Sequence, residues 1–212
     1  MNPFVPLRIF ILMTCFLASN LVCKSQDVLA GSFSNGMYEN KTLGFMIKNI
    51  PVQWRCTLNV KSDNVESDDY PIFETLGDSL QILAVLTDSS RMSFNMPMKI
   101  FLLVEPLNAY ESLGANTELQ FFSVNKDRVL AKVTAGYPKF TFNEVRSTNN
   151  IGGEEFFYQG NKIIMGENSE RNQIAFCSIR EGYFFIILVD GFRHDQDLQE
   201  ATSVLKQFWW TK

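Results

Sequence analysis

Three short apolar runs limit the fold of this 212-residue chain more than anything else: Ile82-Leu-Ala-Val-Leu86, Ile100-Phe-Leu-Leu-Val104 and the run 184–189, Phe-Phe-Ile-Ile-Leu-Val. None shows the polar–apolar alternation of a strand with one wet face. Each therefore reads as a strand buried on both sides. Such strands need cover above and below, and helices are the natural cover. The expected core is a sheet whose middle is made by these runs.

The flanking sequence supplies the other elements. Residues 36–54 read as a strand, a turn at 39–42 and a second strand at 44–48. Phe45 and Ile47 share one face of that strand, Met46 and Lys48 the other. Pro51 stops it for want of a backbone N–H, and Trp54 closes one end of a core. Residues 55–61 alternate as a half-buried strand. Residues 113–133 predict a helix, with Leu119, Phe122, Val129, Leu130 and Val133 on its apolar face and a break in the pattern at 123–127. A hairpin is expected from 151–159 and 161–165, turning at Gly160-Asn161. Residues 195–210 give the clearest helix: Asp195 suits the N-cap, and Leu198, Ala201, Thr202, Leu205, Phe208 and Trp209 form one face.

Tyr38, Gly44, Phe45, Ile47, Pro51 and Trp54 together resemble the opening of the PsbP/Mog-like family. This family includes the extrinsic PsbP subunit of the plant photosystem, Ran-binding Mog proteins and bacterial envelope proteins of unassigned activity. The order of elements follows the family over roughly 33–210. The resemblance implies an α+β fold, an α/β/α sandwich with a central, mostly antiparallel sheet covered by helices on both faces. It brings no shared catalytic set, because functions differ between branches of one fold.

Residues 1–25 read as a secretory signal peptide: Arg8 makes a positive n-region, and 9–17 make an apolar h-region too short for the ~20 residues of a membrane span. Residues 26–212 are then a single domain, secreted or periplasmic, with no transmembrane segment. A lipid anchor is an alternative, but Val22 before Cys23 and Thr14 before Cys15 make poor lipobox matches. Cys56 and Cys177 remain in the mature chain, either bridged in an oxidising compartment or unpaired as small buried residues. The net charge of −4 becomes more acidic once Arg8 and Lys24 leave with the leader, which argues against nucleic acid as a partner.

Catalytic chemistry finds little support in the sequence. His194 is the one histidine, so a multi-histidine zinc site is excluded, and no Gly-x-Ser-x-Gly elbow accompanies it. Asp63, Glu66, Asp68 and Asp69 lack the spacing of a calcium loop. Glu154 and Glu155 are neighbours in a strand and point to opposite faces. No catalytic, metal or cofactor residue is assigned, and no cofactor is expected. The expected function is that of an exported, non-enzymatic binding or assembly module of the cell envelope, docking on an envelope protein or complex. Its docking surface would join the loop 88–97, carrying Met92, Phe94 and Met96, to the exposed side of the opening hairpin around Tyr38. The alternatives are a protein binding a small apolar ligand, motivated by nineteen Phe and eight Met, and a carboxylate-dependent hydrolase.

Overall fold

In the computed structural model the three apolar runs lie side by side. Residues 31–58, 60, 79–91, 97–132, 138–167, 169–192 and 195–211 are described. The strands are β1 (Ser32–Ser34), β2 (Met37–Asn40), β3 (Phe45–Ile47), β4 (Trp54–Leu58), β5 (Gln81–Asp88), β6 (Lys99–Pro106), β7 (Lys139–Phe142), β8 (Arg146–Ile151), β9 (Glu154–Gly166), β10 (Ser169–Arg180), β11 (Tyr183–Phe192) and β12 (Phe208–Trp210). The helices are α1 (Asn108–Glu111), α2 (Glu118–Lys132) and α3 (Asp195–Leu205).

A large sheet has the order β4-β5-β6-β11-β10-β9-β7, with β8 also paired to β9. Its pairings are all antiparallel. The apolar runs fall on β5, β6 and β11, three neighbours in its interior. Alternation sends Ile100, Leu102, Val104, Phe185, Ile187 and Val189 to one face, and Phe101, Leu103, Phe184, Ile186 and Leu188 to the other. In β5 a register shift puts Leu83 and Ala84 on the same face, as a bulge does.

The second of these faces is covered by helices. Tyr110 of α1 and Phe121 of α2 meet Phe184 with ring centroids at 5.3 and 4.7 Å. Thr117 caps α2: its Oγ1 accepts from the Gln120 N–H at 3.3 Å, and the Gln120 side chain accepts from the Asn116 N–H at 3.0 Å. The helix runs unbroken through 123–127. The polar residues there are docking groups: Asn125 donates to the Phe121 carbonyl at 2.9 Å and accepts from the Tyr110 hydroxyl at 3.1 Å. The buried stripe is Phe121, Phe122 and Val129, while Leu119 and Leu130, expected inside, are 52% and 46% exposed. Val133 lies outside the described residues.

The opposite face departs from an α/β/α sandwich. Its main cover is a second, four-stranded sheet, β1-β2-β3-β12, with α3 beside it against β11. The protein is thus mostly antiparallel β-structure in two packed sheets, and helices do not form a layer on both faces. The cause lies at the C-terminus. The helix expected over 195–210 ends at Leu205, and Phe208–Trp210 pairs antiparallel with Phe45–Ile47. Aromatic residues suit a pleated, half-buried strand, and β3 has a free edge to offer them. Phe45 then joins the sheets, with ring centroids 4.8 Å from Phe185 and 5.5 Å from Phe208.

The hairpin expected at Gly160-Asn161 is absent as well. β9 runs straight through both residues, and the chain turns instead at Gly152-Gly153, between β8 and β9.

Candidate functional site

The C-terminal strand builds the most exposed aromatic surface among the described residues. Along β12, Phe208 and Trp210 turn toward the core and Trp209 turns out, 55% exposed. The strand is held in register by hydrogen bonds from the Lys48 N–H to the Gln207 carbonyl (3.0 Å) and from the Thr211 N–H to the Gly44 carbonyl (2.8 Å). The Lys48 ammonium sits 4.7 Å from the Trp209 ring centroid. This cation–π contact holds the indole in place.

Trp210 forms the inner wall. Its indole N–H donates to the Ile151 carbonyl at 3.4 Å, and the Arg180 guanidinium lies 4.4 Å from its ring. Arg180 also donates to Glu154 at 3.0 Å. The β8–β9 turn closes in because residue 152 is glycine. A Cβ on Gly152 would come within 2.5 Å of the Trp210 indole nitrogen and 3.1 Å of the Phe208 carbonyl, at φ +62°. Between turn and strand lies an open groove of about 470 Å³ whose lining includes Asn150, Gly153, Glu154, Lys206, Trp209 and Trp210.

A second cavity, between α2 and the large sheet, is lined by residues including Phe122, Val129, Phe142, Gln159 and Asn161. At about 40 Å³ it falls well short of the roughly 300 Å³ at which small-molecule sites begin.

The expected site residues are scattered. Tyr38 is buried under the small sheet, its ring 5.7 Å from Phe45 and its hydroxyl accepting from Asn40 at 3.4 Å. Met92, Phe94, Met96, His194 and the acidic cluster from Asp63 to Asp69 lie outside the described residues. Glu154 is partnered by Arg180, not by a second carboxylate. Among the described residues no group of three or more His, Cys, Asp or Glu is placed to hold a metal, and no helix is long and apolar enough to cross a membrane.

Cys56 and Cys177 are unbridged. Three strands, β5, β6 and β11, separate them, and they face opposite cores. Burial pushes the Cys56 thiol up to about 11 and raises Cys177 as well; it also raises the hydroxyls of Tyr38 and Tyr110. Such groups stay protonated near neutral pH, unlike an activated nucleophile.

The sequence reading missed the groove because it placed Trp209 on the inner face of a helix. No sequence signal marked the strand, because the consecutive aromatic residues Phe208, Trp209 and Trp210 fit a helical and a strand period alike.

Two packed antiparallel sheets with helices over the far face define a PsbP-like fold. The chain is similar to the solution structure of cyanobacterial PsbP (CyanoP) from Synechocystis sp. PCC 6803, with a TM-score of 0.52 and 12% identity, covering 85% of this chain and 98% of that one. It is also similar to the crystal structure of LpqN, involved in cell envelope biogenesis of Mycobacterium tuberculosis, with a TM-score of 0.43 and 12% identity, covering 76% and 80% of the two chains. No protein-family profile matches the chain, and no curated protein does. At 12% identity the likeness is one of fold, which leaves function to be argued from the site.

Proposed function

We propose that this chain is an exported, non-enzymatic binding or assembly module of the cell envelope that docks on an envelope protein or complex. Residues 1–25 direct its secretion, and 26–212 act as one domain in the periplasm or outside the cell. The observation that carries this reading is Trp209, a large aromatic side chain held half-exposed on a paired strand. Tryptophan is enriched among the residues that dominate binding energy, and a ring already fixed loses little entropy when a partner covers it.

The docking face is the outer side of the small sheet. The register places Glu39, Met46 and Trp209 in one row across β2, β3 and β12. Lys48 flanks the row at the Trp209 ring. Met92, Phe94 and Met96 are proposed, from the sequence alone, to contribute to partner binding, and buried Tyr38 supports the row from beneath.

The test is crosslinking in intact cells. A photoreactive residue at Lys41, 84% exposed in its side chain, should give discrete adducts identifiable by mass spectrometry, and Trp209→Ala should abolish them. Adducts no stronger than background, or unchanged in the variant, would remove the proposal.

A further inference from the structure

We propose that the groove beside Trp209 binds a neutral saccharide. This goes beyond docking on a protein partner and rests on that reading only in sharing Trp209.

The first argument is the platform. An aromatic face carries partial negative charge, and the ring C–H groups of a pyranose carry a small positive one. Trp209 lines the groove and stays half-exposed with the Lys48 ammonium 4.7 Å from its ring centroid. Because Trp209 is fixed by strand pairing and by Lys48, stacking needs no rearrangement of the protein.

The second argument is the chemistry of the rim. Asn150 offers a carboxamide that both donates and accepts, Glu154 a carboxylate that accepts, and Lys206 an ammonium that donates. A purely apolar ligand would strip water from all three and pair with none. Hydroxyl groups donate and accept, so a neutral polyol matches the whole set.

Shape gives the third argument. Gly153 leaves the backbone of one wall bare, beside Gly152, which packs against Trp210. At Gly153, φ +79°, no atom lies within 4 Å of the place a Cβ would take. A sugar can therefore approach main-chain groups directly. The groove's volume of about 470 Å³ lies inside the ~300–1,000 Å³ range of small-ligand sites.

The experiment titrates the purified protein with maltotetraose and, separately, with the tetramer of N-acetylglucosamine. Binding is read by tryptophan fluorescence and by saturation-transfer NMR on the sugar. A saturable response is expected with at least one of the two, insensitive to added salt. Trp209→Ala should weaken it about tenfold or more, and Trp209→Phe should restore part of the loss. Asn150→Ala, at an exposed position away from the core, should weaken it severalfold without changing the melting temperature. The proposal is overturned if neither sugar gives a saturable response up to about 10 mM, if Trp209→Ala binds as the parent does, or if added salt abolishes the response. Protein crosslinking in cells separates the two readings. Adducts that persist without sugar binding sink the saccharide site alone; sugar binding without adducts sinks the docking reading alone.

Discussion

Arg171 of β10 and Asp190 of β11 form an ion pair whose side chains are 2% and 0% exposed. The Arg171 Nε donates to Asp190 Oδ1 at 2.5 Å, a second bond joins Nη2 to Oδ2, and Gln173 Nε2 donates to Oδ1 at 2.8 Å. The β10–β11 register shifts between Asn172 and Gln173, next to this contact. Replacing Asp190 by Ala leaves a guanidinium buried without its carboxylate, at a cost of about 3–5 kcal/mol. With a urea m-value near 2 kcal/mol/M, the unfolding midpoint should drop by roughly 2 M. The double variant Arg171→Met/Asp190→Leu removes both charges together. Pairs so replaced are often neutral or better, so the double variant should recover most of the loss and keep a deficit of which the orphaned Gln173 amide makes up ~1–3 kcal/mol. Adding Gln173→Leu should recover that as well. The assay is urea unfolding followed by tryptophan fluorescence, with the three variants read against the parent. The reasoning fails if Asp190→Ala stays within about 1 kcal/mol of the parent, or if the double variant is as unstable as the single one.

Further outcomes can be checked on the same material. Phe45→Ala, which deletes the ring joining the two sheets, should cost about 3–5 kcal/mol in the same urea assay. Gly152→Ala should lose about 2 kcal/mol or more, from positive φ and collision with Trp210, whereas Gly153→Ala, with open space around it, should lose only about 1 kcal/mol; thermal melts of the pair compare them. Burial raises the Cys56 thiol from 9.0 to about 11, so its contribution to stability is full below pH 9 and disappears as pH rises through 11, because the unfolded chain ionises first. Melting temperatures across pH 8–11.5 should therefore fall more steeply for the parent than for Cys56→Ala.

Sequence pattern revealed the interior of the large sheet because burial on both faces leaves a mark that solvent cannot imitate. β5, β6 and β11 are apolar at consecutive positions, and no half-wet element tolerates that. The opening hairpin was legible for a different reason: Phe45 and Ile47 alternate with Met46 and Lys48, and Pro51 ends the run. The second sheet left no such mark. Its edge strand is three residues long, and its pairing with β3 spans most of the described chain. A Gly-Asn pair also resembles a tight turn from sequence alone, yet Gly160 lies within a thirteen-residue strand. It is small there because the Asn143 side-chain nitrogen sits 2.8 Å from where a Cβ would be.

The site was hidden by that same short strand. In helical register Phe208 and Trp209 share the buried face with Leu198 and Leu205, and a tryptophan so placed is core. In strand register the inside positions are Phe208 and Trp210, and Trp209 moves to solvent. Three aromatic residues satisfy both periods, so composition could not choose between them. What decides is the unpaired edge of β3, a backbone demand that belongs to another part of the chain. Once 208–210 answers it, Trp209 has no core to enter, and Lys48, two residues beyond its cross-strand neighbour Met46, is brought over the ring. The exposed indole is thus a consequence of closing the second sheet, and the groove follows from Gly152 letting the β8–β9 turn close against Trp210.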